Sequence, residues 1–258
     1  MKISVVIPVL NERASLPAAI AALRACRSLQ EIIVSDGGSN DGTVEWLQAQ
    51  PDIVLVRSIR GKGPQLNAGA ERATGDVLLF LHADSELSQA ALDAMHSVLP
   101  DDQRSQPSAS QPSASHVQSS SRSSAQLSAV KAVGGAFYLR FAESRPRPLR
   151  LVAWGINLRA RFRNSATGDQ GIFVRRSVFQ SIGGAPDWPL FEDVELVRRI
   201  KQAGKFVVLK TPLAVSGRRY IEHGVFRTAL LIYSLRLAHW LGVPPQRLKE
   251  WFRDARGK

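Results

Sequence analysis

Four short apolar runs separated by helix-like segments constrain the first third of this chain more than any other feature. The runs are ISVVIPV at 3–9, EIIVS at 31–35, IVLV at 53–56 and DVLLFL at 76–81. Between them, Leu16, Ile20 and Leu23 stand at helical spacing within about 15–26, and further helices are expected at about 42–49 and 64–73. Strands apolar along their whole length must be covered on both faces. The pattern therefore predicts an α/β fold with a mostly parallel central sheet flanked by helices.

The pattern breaks at 101–130, where Ser, Gln and Pro dominate and large apolar side chains almost vanish. Such a segment buries too little surface to offset its ordering entropy, so a disordered insertion is expected. Strand and helix signals resume with GAFYLRF at 135–141, a helix over 149–163, GIFV at 171–174, a helix at about 192–203 and FVVLK at 206–210. Residues 221–254 read as two helices split by Pro244-Pro245. Arg227, Arg236 and His239 interrupt the apolar positions of the first, so it either packs on the main domain or lies at a membrane surface.

One cysteine, Cys26, excludes a disulfide framework and any multi-cysteine metal site, and suits a cytoplasmic protein. No cleavable leader and no run of about 18 apolar residues is seen, so location is expected to be cytoplasmic, at most peripheral at the inner face of the membrane. The net charge of +12 attracts anions: nucleic acid, anionic lipid or the pyrophosphate of a small molecule. No zinc-finger, basic-zipper or RNA-recognition pattern accompanies it, so nucleic acid is not an expected partner.

Five constellations carry the chemistry. Ser35-Asp36-Gly37-Gly38-Ser39-Asn40-Asp41-Gly42-Thr43 follows the second strand, where open α/β sheets bind ligands. Asp36 can accept the N–H of a nucleobase, and Asp41 reads as a helix cap. Gly61-Lys62-Gly63 precedes a helix and suits a phosphate, although Lys62 reads equally as a solvated side chain. Leu79-Phe80-Leu81-His82-Ala83-Asp84 delivers a carboxylate at a strand end, where it can hold Mg²⁺ or Mn²⁺ against a pyrophosphate; His82 reads as a packed neighbour or a ligand. Gly168-Asp169-Gln170-Gly171 and Phe191-Glu192-Asp193-Val194-Glu195 form the fourth, whose paired carboxylates are dipole partners of a helix or a general base. In Ser216-Gly217-Arg218-Arg219-Tyr220 the arginines clamp a diphosphate or form a solvated loop.

In this order, VVIPVLNE at 5–12, SDGGSNDGT at 35–43, LNAGAERATGDVLLFLHAD at 66–84 and FEDVEL at 191–196 resemble the family 2 glycosyltransferases of GT-A fold. GKGPQLNAGA, FLHADS, TGDQGIFVRR and SGRRY are further similar to a bacterial subgroup described as radical-SAM-associated or arsenosugar-biosynthesis transferases. The resemblance implies inverting transfer from a nucleotide-sugar donor, UDP-linked, to a small-molecule or lipid-like acceptor, with Mg²⁺ or Mn²⁺. It assigns Pro8, Asn11, Glu12 and Asp36 to the donor, Asp84 to the metal, and Asp193 of the Glu192-Asp193 pair to the general base of catalysis; Lys62, Asn67, Arg218 and Arg219 are further candidates for the donor. The first position of the metal motif is His82 in place of aspartate. It also divides the chain into a transferase domain over 1–220, with a donor part at 1–100 and an acceptor part at 131–220, and a helical extension at 221–258 that offers a peripheral membrane contact.

Two other classes compete. Nucleotidyltransfer needs a glycine-rich basic loop after the first strand, where Pro8-Val9-Leu10-Asn11-Glu12 stands, and a dehydrogenase needs GxGxxG there. The non-enzymatic alternative is a nucleotide-sugar sensor or a membrane-surface adaptor, which would bind donor without turnover.

Overall fold

The computed structural model describes residues 1–99, 131–143 and 147–254. The Ser/Gln/Pro-rich segment expected to be disordered lies outside the described residues. The strands are β1 (Ile3–Val9), β2 (Leu29–Asp36), β3 (Ile53–Arg57), β4 (Val77–Phe80), β5 (Ser85–Glu86), β6 (Ala132–Phe141), β7 (Ile172–Arg175) and β8 (Lys205–Val215). They form one sheet in the order β3-β2-β1-β4-β7-β6-β8-β5. The half built from the first third of the chain is parallel throughout, as expected. Beyond β4 the sheet is mixed, because β7 runs antiparallel to both β4 and β6 while β6 and β8 are parallel.

The helices are α1 (Leu16–Arg24), α2 (Thr43–Gln48), α3 (Lys62–Arg72), α4 (Gln89–Val98), α5 (Arg147–Arg163), α6 (Arg176–Ser181), α7 (Glu192–Ala203), α8 (Arg218–His223), α9 (Val225–Trp240) and α10 (Pro245–Asp254). Period-two alternation sorts the strands between two cores. In β1, Ile3, Val5, Ile7 and Val9 pack with α1, α4 and α5 residues such as Leu16, Leu92 and Leu149. Val6, with Leu78 and Phe80 of β4, packs instead with Leu66, Phe179 and Leu196 of α3, α6 and α7. The result is three layers, helix on sheet on helix.

Two features of β1 break the apolar rule at little cost. Ser4 is fully buried, but its hydroxyl donates to Glu31 (2.6 Å) and accepts from the Gly75 N–H (2.9 Å). Pro8 stands beyond the last β1–β4 pair, Val6 opposite Phe80, where the strand has a partner on one side only.

The C-terminal region differs from expectation. It holds three helices, not two: Arg218 and Arg219 open α8, the break before α9 is Gly224 at φ 83°, and Pro245 opens α10 as expected of a first-turn proline. Among the described residues no helix is long and apolar enough to cross a membrane. Along α9, Phe226, Leu230, Leu237 and Trp240 are exposed.

Candidate active site

The parallel strands β1, β2 and β4 all end at one edge of the sheet, and the loops leaving them build the site. The first two loops are laced together. The Asn11 N–H donates to Ser39 Oγ (2.8 Å), the Asn40 N–H donates to Asn11 Oδ1 (2.9 Å), and the Glu12 N–H donates to Thr43 Oγ1 (3.1 Å). Asn11 holds a left-handed backbone at φ 57°, a conformation Asn tolerates better than most side chains. Glu12 accepts from the Ser15 hydroxyl (2.5 Å) where α1 begins. Asp41, expected as a helix cap, stands one residue before the N-cap, which is Gly42, and accepts from the Thr43 N–H (3.1 Å).

Asp36, expected to meet a base, is turned inward. Its carboxylate is 0% exposed and accepts from the Gly38 N–H (3.0 Å), the Ser39 N–H (3.2 Å) and Arg57 Nη1 (2.8 Å). Burial alone would raise its pKa; hydrogen bonds from Ser39 and Gly38 and the Arg57 guanidinium outweigh it and lower the carboxyl. Asp36 therefore shapes the turn and offers no free acceptor surface to a base in this structure.

Helix α3 carries the second wall. Gly63 lies so close to the following segment that a Cβ there would sit 2.1 Å from the Pro186 carbonyl oxygen. Gln65, 4% exposed, donates to the carbonyls of Val9 (2.6 Å) and Ser35 (2.8 Å), tying α3 across the ends of β1 and β2. Asn67, expected at the donor, instead exchanges two hydrogen bonds with the Ala185 backbone (2.9 and 2.8 Å). It fixes the loop in front of α7. Lys62, at the helix start, reaches His82 Nε2 (3.4 Å) and Glu192 Oε1 (3.9 Å).

The turn at 168–170 meets the end of β4. Gln170 is fully buried; it donates to the Phe137 carbonyl (3.0 Å), and its Oε1 accepts from the Thr167 N–H (3.2 Å) and Arg159 Nη2 (3.3 Å). That anchor presents Asp169 to His82 Nδ1 at 3.1 Å. Burial pushes Asp169 upward, but His82, Lys62 and Arg219 overcome it and hold the carboxyl far below the usual carboxylate range. Gly168 needs its missing side chain, since a Cβ would stand 2.8 Å from His82 Nε2 and 3.5 Å from Asp193 Oδ2.

Asp193 Oδ2 accepts from the Gly168 N–H (2.6 Å), and Oδ1 accepts from the Val194 N–H (2.7 Å). Glu192, 7% exposed, is raised by burial first and by the Asp193 charge second. Both sit in the first turn of α7, where the helix dipole favours negative charge. The preceding Phe191 has φ 65°, a strained value for a bulky side chain, and stacks on His239 of α9 at 5.0 Å. One cleft is thus lined by Pro8, Lys62, His82, Gly168, Glu192 and Asp193, drawn from five separate stretches of chain.

Asp84 stands exposed just beyond this cleft, and its backbone oxygen accepts from the Ser216 N–H (3.3 Å). The loop at 216–217 is clamped by Glu143, which accepts from Ser216 Oγ (3.0 Å) and the Gly217 N–H (2.6 Å). Arg218 and Arg219 follow it, both exposed, with Arg218 3.8 Å from Glu222. Among the described residues no group of three His, Cys, Asp or Glu side chains is spaced to hold a metal. His82 is occupied by Asp169 and Lys62, which leaves Asp84 as the single carboxylate of its motif. Mg²⁺ and Mn²⁺ are commonly held by one or two carboxylates plus substrate phosphates, and that donor set fits.

Gln65, Glu143 and Arg57 carry much of this geometry without having been singled out in the sequence. Their partners lie far along the chain, so no local spacing signals them. Only the paired glycines flanking Asp169-Gln170 hint at a close approach.

Residues 4–179 match the sequence pattern of glycosyl transferase family 2. The chain belongs to that family. A curated relative, the undecaprenyl-phosphate 4-deoxy-4-formamido-L-arabinose transferase of Pectobacterium atrosepticum, is 43% identical over 93 residues. That match covers 32% of this chain and only 28% of the relative. The fold is similar to that of the mannosyltransferase PcManGT from Pyrobaculum calidifontis in complex with GDP-Man and Mn²⁺ (TM-score 0.59, 19% identity, 96% of this chain and 67% of that one). It is also similar to glucosyl-3-phosphoglycerate synthase from Mycobacterium tuberculosis in complex with Mn²⁺, UDP and glucosyl-3-phosphoglycerate (TM-score 0.56, 18% identity, 94% and 81%). These likenesses establish the GT-A fold.

Proposed function

We propose that the protein transfers a sugar, with inversion, from a UDP-linked donor to an acceptor hydroxyl, with Asp193 as general base. The observation carrying this reading is the placement of Asp193 in the cleft, oriented by the Gly168 N–H at 2.6 Å and facing the end of β4. Glu192, raised by burial and by its neighbour, holds its proton more readily, which leaves base duty to Asp193.

In the step, the acceptor hydroxyl gives its proton to Asp193 and its oxygen bonds to the anomeric carbon. The bond from that carbon to the diphosphate oxygen breaks, and its electron pair leaves with UDP. Lys62 and Arg219, whose charges both act on Asp169, are the cations this reading assigns to the departing diphosphate. A divalent ion held by Asp84 and the donor phosphates would supply further charge neutralisation. Pro8 supplies part of the cleft wall on the donor side, and Asn11 and Glu12 hold the loops that frame it.

The narrower likeness to the radical-SAM-associated subgroup and the short match to a lipid-phosphate sugar transferase pull toward different acceptors. The exposed apolar side chains of α9 favour an acceptor met at the inner face of a membrane, with the protein peripheral to it. The deciding experiment compares Asp193→Asn and Asp84→Ala with wild type in donor turnover and UDP binding. Asp193→Asn should lose at least about a hundredfold in turnover while keeping UDP affinity, as expected for removal of a positioned base. Asp84→Ala should lose Mn²⁺-dependent UDP affinity. Unchanged turnover in both would overturn the assignment, and donor binding by wild type without any turnover would favour the sensor reading.

A further inference from the structure

Helix α9 reaches the start of α7 through one aromatic side chain. His239, in the last turn of α9, stacks on Phe191 with ring centroids 5.0 Å apart and planes inclined by 27°. Trp188 meets the same imidazole edge-on at 5.9 Å. The ring thus sits between two aromatic side chains of the loop that leads into α7, and such pairs contribute beyond the area they bury. Three residues earlier, on the same face of α9, the Arg236 guanidinium feels the Asp193 charge. Behind the stack, a cavity of about 850 Å³ lined by Arg159, Arg236 and His239 lies between α5 and α9.

The loop itself is thinly held. At its beginning, Asn67 fixes Ala185 with two hydrogen bonds. Asp187, Trp188, Pro189 and Leu190 make none among the described residues. At its end stands Phe191 with φ 65° and ψ 22°, and no side-chain cap closes α7 there. A bulky residue keeps a left-handed backbone only where its surroundings enforce it. The enforcing contact is the His239 ring.

Phe191 in turn sets the first turn of α7, because its carbonyl accepts from the Glu195 N–H (3.1 Å). That turn carries Asp193, whose carboxylate accepts from the N–H groups of Gly168 (2.6 Å) and Val194 (2.7 Å). His239 Nδ1 is buried without a hydrogen-bond partner among the described residues. A polar atom left in that state is costly, so the position calls for a flat ring and not for a hydrogen bond.

We infer that His239 is a positioning residue for sugar transfer: its ring holds Phe191, Phe191 sets the first turn of α7, and that turn aims the Asp193 carboxylate into the cleft. His239 does not line the cleft and acts through Phe191. The inference rests on the reading of Asp193 as general base.

The test compares His239→Ala and His239→Phe with wild type by amide hydrogen exchange and by hydrolysis of UDP-glucose with Mn²⁺, in which water takes the place of the acceptor. In His239→Ala the Gly168 and Val194 amides should exchange at least about fivefold faster, while the Val5 amide in β1 keeps its wild-type rate. The kcat for UDP release should fall at least about tenfold, with KM and UDP affinity unchanged, as expected when a reacting group is misplaced and binding is not. His239→Phe should restore both, because it returns the ring without its nitrogens. Phe191→Leu keeps apolar bulk and loses the flat ring. It should reproduce His239→Ala, and the double variant should be no worse than either single one, since both break one contact. Phe191→Leu decides the matter should His239→Ala fail to fold. Wild-type exchange at Gly168 and Val194 in His239→Ala, a loss that His239→Phe leaves in place, or additive losses in the double variant would each overturn the inference. The exchange measurement needs no turnover, so it decides the contact whatever sugar the donor carries. Should exchange respond as expected while Asp193→Asn keeps wild-type turnover, the reading of Asp193 as base fails and the positioning contact stands.

Discussion

At Glu192 burial and the adjacent Asp193 carboxylate act in the same direction, both opposing ionisation. An acid raised in the folded state stabilises the fold below its unfolded value, about 4.3, and that contribution is lost as pH rises through the folded value. Glu192→Gln removes the ionisable group at constant shape. Its melting temperature should match wild type near pH 4 and exceed it increasingly toward pH 8, as read by thermal denaturation across that range. A constant difference would show that Glu192 is ionised in the fold as freely as outside it. Residue identity at this site was readable in the sequence, since Glu192 and Asp193 stand in a recognisable stretch. Asp193 as the base of the pair was implied by the resemblance, but the groups that orient the pair, the Gly168 N–H and Lys62, were not readable, because they lie 25 and 130 positions away. Asp36 shows the converse. Its residue type and its turn were evident, but its inward orientation follows from Arg57 on the neighbouring strand.

Among the elements, α3 is held most tightly by close approach. The segment Gly61-Lys62-Gly63 was read as suited to a phosphate before a helix, yet Gly63 matters because the Pro186 carbonyl fills the space of a side chain. Gly63→Ala should force α3 away from the loop that precedes α7, at a cost of about 1–3 kcal/mol, the usual range for overpacking. Denaturant unfolding would show it as a lowered midpoint at unchanged slope. UDP affinity should fall in parallel, because Lys62 rides on the same turn; a neutral substitution would mean that the loop yields freely. Most strands and helices were legible from periodicity, with β1 matching its apolar run at both ends, but the ten-residue α4 was not expected. Of the short elements, α2 was expected, but α6, α8 and β5 were not. Helix α8 has six residues and β5 has two, too few for any periodicity to register.

For the whole molecule, the net charge of +12 and the apolar side chains along α9 bear on where the protein works. The proposed peripheral contact combines charge attraction with shallow apolar insertion. The protein should therefore sediment with vesicles containing phosphatidylglycerol at low salt. Binding should weaken sharply as salt shortens the Debye length to about 8 Å at 0.15 M. Leu230→Glu together with Phe226→Glu should abolish the salt-resistant fraction without changing the melting temperature. Failure to sediment at low salt would remove the membrane from the account. By itself, the sequence determined the layered α/β class and which residue types could carry chemistry, because apolar periodicity and glycine-flanked carboxylates are local signals. Only the tertiary structure decided that the sheet turns mixed after β4, that Asn67 and Asp36 serve the scaffold, and that Arg159 and Arg236 share a cavity with His239. Each of those outcomes depends on a partner brought close by folding, and a one-dimensional pattern holds no record of that distance.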